Sequence, residues 1–310
     1  MQRRYNSFGA YIRRRFGQPV FKVNIDAGFT CPNRDGTVGT GGCTYCNNES
    51  FKPSLCRPSL TVQDQVRQGA EYLKGRYGAK MFIAYFQAYT NTHAPVDELE
   101  ALYKEALAEP GVVGIAIGTR PDAVDDAKLD MIARLGEGRF ALVEYGVQSV
   151  YEHTLREINR GHGYAEFLRA VAMTRERGLH AGGHLIVGFP TETRDQMLDT
   201  ATEISASGIE FLKVHQLQII RDTPMAEQYE RKAFNVFGYE EYLEFLADFM
   251  DRLDPKLVMQ RLFATAPDEI LIAPKWGRSR HETLLDIDRV MQEKGARQGR
   301  LFKSSAYSAV

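Results

Sequence analysis

Apolar positions along this chain follow two alternating rhythms. Short runs of β character at 20–26, 81–86, 112–117, 140–147, 181–187 and 211–217 are separated by stretches whose apolar residues recur at helical spacing. Val62, Val66, Ala70 and Leu73 share one helical face. So do Leu99, Leu102, Tyr103 and Leu107, and then Leu129, Ile132, Ala133 and Leu135. Thr61, with Asp64 three residues on, predicts an N-terminal cap for the first of these helices. Six strand–helix alternations predict a parallel sheet, because parallel neighbours need crossovers, and those are right-handed. Six units rather than eight predict an open, partial barrel whose reactive groups gather at the C-terminal ends of the strands.

The rhythm changes near residue 225. Tyr239, Tyr242, Leu243, Leu246, Phe249 and Met250 mark an amphipathic helix, followed by a β-like stretch at 257–263 and a charged helix near 280–294. The expected organisation is a basic segment at 1–18, a core barrel at 19–225 and an extension at 226–310.

Composition is that of an ordinary globular chain, with 44% hydrophobic and 25% charged residues. No apolar run is long enough for a membrane span, and the first residues lack the apolar region of a secretory signal. The formal charge of −1 hides an asymmetry. Residues 1–22 carry Arg3, Arg4, Arg13, Arg14, Arg15 and Lys22 with no acid, and residues 275–303 carry eight Lys or Arg against four Asp or Glu. Two basic ends on an acidic body point to a polyanion such as nucleic acid, or to ordinary solvated arginines.

Three of the four cysteines fall in Cys31-x11-Cys43-x2-Cys46, directly after the first strand and amid Gly36, Gly39, Gly41 and Gly42. Clustered cysteines of this kind indicate metal binding in a reducing compartment, here expected to be the cytoplasm. Three thiolates can hold a [4Fe–4S] cluster by three irons and leave the fourth open to a small ligand. A structural zinc site completed by Cys56 or a histidine is the competing reading. The loop's place at the mouth of a parallel β/α array favours the cluster, and Cys56, lying between Pro53 and Pro58, is read as a non-ligand.

The segment CPNRDGTVGTGGCTYC resembles the cluster loop of radical S-adenosylmethionine (SAM) enzymes, with aromatic Tyr45 just before Cys46. Their usual first gap is shorter. A long one resembles the YhcC/YtqA-like subgroup, related to the catalytic subunit of Elongator. The likeness continues through NIDAGFTCPNRDG, YFQAYTNT, GTRPD, GVQS, NRGH and GFPTET. It implies an α/β fold, a partial (β/α)6 TIM-like barrel with a C-terminal α/β extension, and the cofactors [4Fe–4S] and SAM.

The resemblance also implies roles for single residues. Cys31, Cys43 and Cys46 would bind the cluster. Gln148 would meet the SAM ribose and Arg160 its carboxylate, which suits an amide against a diol and a guanidinium against a carboxylate. Glu144 is a further candidate for ribose or amino contacts. Gly188 and Pro190 would shape a strand exit whose backbone faces adenine, and Tyr45 would lie against the base. The Gly-Gly-Glu that commonly holds the SAM amino group is absent, so Gln87, Thr90 or Asn91 would substitute. Arg120 and Asp122 would face the same mouth and contact SAM or substrate rather than form a structural ion pair. His93, His162 and His215 receive no role, and Trp276 is expected to pack the extension onto the barrel rather than to stack on a base.

An external one-electron donor of flavodoxin or ferredoxin type is implied. Elongator-like relatives imply tRNA as the substrate, through the C5 side chain of its wobble uridine. A radical SAM enzyme acting on a small molecule and a zinc-stabilised RNA-binding protein are the alternatives.

Overall fold

The structure is a computed structural model that describes residues 3–47 and 59–303. Cys56 lies outside the described residues. A short helix, α1 (Phe8–Phe16), leads into β1 (Val20–Ile25), and four helices then alternate with strands: α2 (Val62–Tyr77), β2 (Met81–Phe86), α3 (Val96–Leu107), β3 (Val112–Thr119), α4 (Asp126–Leu135), β4 (Phe140–Gln148), α5 (Glu152–Glu157). The second half runs α6 (Tyr164–Glu176), β5 (His180–Val187), α7 (Arg194–Ala206), β6 (Phe211–Gln216), β7 (Ile219–Ile220), α8 (Pro224–Glu230), α9 (Tyr239–Arg252), β8 (Val258–Arg261), β9 (Leu271–Ala273) and α10 (Arg280–Glu293).

The main sheet has seven parallel strands in the order β1-β2-β3-β4-β5-β6-β8. It curls into a half-barrel whose two edges, β1 and β8, stay unpaired with each other. The six expected strands are all present, and Thr61 caps α2 by accepting the Asp64 N–H. The seventh strand, β8, comes from the β-like stretch at 257–263 that the sequence reading left in the extension. It pairs with β6 because Val258 and Met259 bury their side chains among the core residues.

Inside the barrel the layers differ in chemistry. The lowest layer is apolar: Ile83, Ala116, Phe140, Leu142, Phe211 and Val258 pack on Ile12 of α1. Phe8 and Tyr11 meet Phe211 edge-on at ring separations of 5.8 and 5.1 Å. Helix α1 therefore stoppers the N-terminal end of the barrel, and each buried aromatic there contributes about 1.5–3 kcal/mol.

The chain ends also meet. Asn6 donates its N–H to Gln298 Oε1 (2.9 Å), Gln298 donates to the Arg4 carbonyl (3.0 Å), and Met259 donates to the Asn6 carbonyl (2.8 Å). The two basic segments, far apart in sequence, thus lie side by side along β8. Helix α9 buries Tyr242, Leu243, Phe245, Leu246, Phe249 and Met250. Trp276 packs on Tyr242 and Tyr239 (5.2 and 5.5 Å between rings) and donates its indole N–H to the Phe237 carbonyl, so these contacts lie within the extension rather than between it and the barrel.

Candidate active site

The cysteine loop lies over the C-terminal end of the barrel, held there by the turn that follows α5. Asn33 donates Nδ2 to the Asn159 carbonyl (2.6 Å), and Asn159 donates Nδ2 to the Gly42 carbonyl (2.8 Å). Thr44 N–H adds a bond to the Ile158 carbonyl (3.0 Å). Gly42, at φ +78°, sits so close to Arg34 that a Cβ would come within 2.8 Å of its Nε. Glycine is required there, and Arg34 is left free to bond the Cys46 carbonyl. The NRGH stretch is therefore a staple for the cysteine loop as well as the source of Arg160.

The three cysteines are free thiols, Cys43 buried and Cys31 and Cys46 half-buried. Burial, with Cys43 alongside, pushes the Cys46 thiol up to about 11 in spite of Arg34. A bound cationic centre would stabilise the Cys46 thiolate against this burial, as metal or cluster ligation does. Two N–H donors already point at one sulfur: Arg160 Nη1 at 3.6 Å and Asn33 Nδ2 at 3.7 Å from Cys43 Sγ. Such bonds orient and tune a cluster ligand. Among the described residues no three His, Cys, Asp or Glu side chains converge on a single ion position.

A cavity of about 180 Å³ opens between this loop and the barrel. All three cysteines line it, as do Tyr45, Gln87, Arg120, Glu144, Gln148 and Arg160. The structure thus brings together nine of the eleven predicted residues. Gly188 and Pro190 are not on its wall. The Gly188 Cα is covered by Phe237, its N–H is directed at the Met197 sulfur (3.0 Å), and His184 and Ile186 are the β5 residues that reach the cavity.

Arg160 is 5% exposed. Its Nη2 donates to the Gly146 carbonyl at 2.7 Å, while Nε is buried with no partner among the described residues. Gln148 ends β4 at φ +65°, a left-handed conformation that costs a non-glycine residue about 1–3 kcal/mol. A register shift between Gly146 and Gln148 accompanies it and turns the amide back toward Arg160. Gly146 makes room for both: a Cβ there would lie 2.5 Å from Gln148 Nε2 and 2.7 Å from Arg160 Nη2.

Arg120 lines the same cavity but is fully engaged. Its Nε and Nη2 fork onto Asp122 (2.9 and 2.6 Å) and its Nη1 donates to the Arg160 carbonyl (2.9 Å). Burial would raise the Asp122 carboxyl, but the Arg120 fork outweighs it and holds it below its usual value. This pair fixes the backbone that carries Arg160. Tyr45 leans on Phe189 at 5.8 Å, and burial holds its hydroxyl well above its ordinary value. Of the three candidates for the SAM amino group, Gln87 faces the cavity, whereas Asn91 is tied to the Gly118 carbonyl through Nδ2 (2.8 Å) and Thr90 is buried outside it.

Glu144 differs most from the expectation. Its carboxylate receives Lys22 Nζ (2.9 Å), Lys213 Nζ (2.5 Å), His184 Nε2 (2.9 Å) and Gln260 Nε2 (2.8 Å). Burial alone would raise it, but Lys213, Lys22 and His184 hold it well below the normal carboxylate range. Lys213 also donates to Tyr85 Oη at 2.6 Å. The polar hub that these residues form sits on the apolar layer and floors the cavity. The sequence reading missed it, although Lys213 and His215, two apart in FLKVHQ, share one face of β6.

Comparison with known proteins agrees with this architecture. The Radical SAM superfamily matches residues 34–204 and the Radical_SAM C-terminal domain matches residues 209–293. Bacillus subtilis YtqA is 36% identical over 97% of this chain and 94% of its own length. Escherichia coli YhcC is 36% identical over 95% and 94%. A Methanocaldococcus jannaschii tRNA uridine(34) acetyltransferase is 27% identical over 49% of this chain and 28% of its own. The solved archaeal Elp3 of Methanocaldococcus infernus shares the fold, with a TM-score of 0.70, 18% identity, and coverage of 90% of this chain and 64% of that one. Among the described residues no helix is long and apolar enough to cross a membrane. The chain belongs to the radical SAM superfamily, whose cofactors are a [4Fe–4S] cluster and SAM.

Proposed function

We propose that this radical SAM enzyme modifies the C5 side chain of the wobble uridine of tRNA, for example converting carboxymethylaminomethyl to aminomethyl by oxidative C–N cleavage, with SAM as the two-electron oxidant, water as the oxygen source and the carboxymethyl carbons leaving as a two-carbon oxo acid. Cys31, Cys43 and Cys46 hold the cluster. Arg160 receives the SAM carboxylate through its unpartnered Nε edge, Gln148 the ribose, and Gln87 the amino group, with Tyr45 against adenine. A reduced cluster and SAM held by these residues would supply hydrogen-atom abstraction from the substrate. The chain's own part is to orient the two cofactors. The electron that reduces the cluster comes from an external donor of flavodoxin or ferredoxin type.

The observation that carries the tRNA reading is the meeting of the two basic ends. Arg3, Arg13 and Arg280 line one recess of about 370 Å³ between α1, β8 and α10, with no carboxylate among its described lining residues. Phosphate contacts of this kind supply affinity and orientation. The partial likeness to proteins named tRNA uridine(34) acetyltransferase supports the same reading. The test is mass spectrometry of tRNA nucleosides from cells with and without the gene. One wobble nucleoside should be lost and its precursor should accumulate; an unchanged profile, with SAM cleavage answering to a small metabolite, would overturn the reading.

A further inference from the structure

The cavity has a feature that SAM and the cluster leave unused. Arg261 lines three adjoining recesses: the cysteine-lined cavity, the basic recess beside α1, and a third of about 630 Å³ between the sheet edges β1 and β8. Its side chain makes no hydrogen bond or ion pair among the described residues. It reaches the interior through an irregularity. Met259 pairs with Leu212, but the next pair is Arg261 with Lys213, so Gln260 is an extra residue in β8. In a regular strand Gln260 and Arg261 would face opposite sides. The bulge lets Gln260 bond Glu144 while Arg261 lines the same cavity.

The neighbourhood is short of negative charge. Lys22, Lys213, Arg261 and Arg280 line these three recesses, and Glu144 is the one carboxylate among the described lining residues. Glu144 is already taken by Lys22 and Lys213. On the same wall His215 has a buried Nε2 without a partner. A guanidinium, an ammonium and an imidazole nitrogen on β6 and β8 thus line this cavity from strands other than β4, whose Gly146 carbonyl holds Arg160.

We infer that Arg261, with Lys213 and His215, forms a subsite for a carboxylate on the substrate, distinct from the Arg160 position that meets SAM. The inference deepens the proposed function and rests on it for the identity of the substrate, but the subsite itself can be tested separately.

The test is binding to the full-length, anaerobically reconstituted protein with SAM. Two anticodon stem-loop RNAs are compared, one carrying 5-carboxymethylaminomethyluridine at the wobble position and one carrying its N-methylamide, which removes the charge. A charge-assisted pair predicts a preference of about tenfold or more for the carboxylate. Arg261→Gln should bring the two affinities together, Arg261→Lys should keep part of the difference, and SAM affinity should stay within about twofold in both. Equal binding by the unaltered protein, or an undiminished preference in Arg261→Gln, would overturn the subsite. If neither RNA binds, the tRNA reading fails, and sarcosine against its N-methylamide, followed by saturation-transfer NMR, decides the subsite alone. Sarcosine binding lost in Arg261→Gln supports it. No binding, or displacement by equimolar inorganic phosphate, refutes a carboxylate site.

Discussion

Arg160 places Nη1 3.6 Å from the Cys43 sulfur and keeps Nε buried without a partner among the described residues. One guanidinium thus spans a cysteine sulfur and an edge free to meet an anion. Replacing it with glutamine removes the charged edge but keeps hydrogen bonding to the loop. Arg160→Gln is expected to weaken SAM binding about 10–100-fold, the worth of a charge-assisted pair, while iron content stays near that of the parent. Calorimetry and iron analysis on the same sample check this.

Gly146 is predicted to be as sensitive as the residues it accommodates. A methyl group there meets Gln148 Nε2 at 2.5 Å and Arg160 Nη2 at 2.7 Å, both ends of side chains rather than backbone. Gly146→Ala should therefore fold and assemble its cluster, yet lose SAM affinity by at least about tenfold. A SAM titration of the reconstituted variant, read against its circular dichroism, separates this from simple destabilisation.

Glu144 holds two lysines beneath the cavity. Removing its charge leaves Lys22 and Lys213 without their carboxylate, and breaking a buried pair this way costs about 3–5 kcal/mol. Glu144→Gln should lower the thermal midpoint by several degrees, whereas the isolated surface variant Lys104→Gln, at a salt bridge with an exposed lysine, should change it little. Thermal unfolding of the three proteins decides the point.

His184 is held neutral by burial and by Lys213, which lower it from 6.5 to about 4 although Glu144 pulls the other way. The unfolded chain then takes up this proton at higher pH than the folded one. The stability contributed by neutral His184 is present above pH 6.5 and is lost progressively between about pH 6.5 and 4, on the order of a few kcal/mol. His184→Gln should flatten the pH dependence of urea unfolding in that window.

Much of this was legible in the residues, for identifiable reasons. The strands at 81–86 and 211–216 declare themselves because both faces are covered, so MFIAYF and FLKVHQ read as runs bounded by turns. The cysteine loop and Arg160 carry their chemistry in residue type and spacing. What could not be read depended on tertiary register. Gly188 and Pro190 were aimed at a cavity whose β5 wall is made by His184 and Ile186, earlier in the β alternation. Glu144 reads as a candidate for ribose or amino contacts, but three strands and the bulge in β8 supply partners that occupy it. Arg261 carried no signal at all, because only an extra residue in the ladder brings it inside.

The most direct measurement is electron paramagnetic resonance of the anaerobically reconstituted, dithionite-reduced protein before and after SAM is added, with 5′-deoxyadenosine assayed in the same tube. The account predicts a [4Fe–4S]⁺ signal that SAM perturbs, deoxyadenosine formation, and loss of both on Cys31→Ala, Cys43→Ala or Cys46→Ala but not Cys56→Ala. Stoichiometric zinc with no iron–sulfur absorbance, or a signal indifferent to SAM, would contradict it.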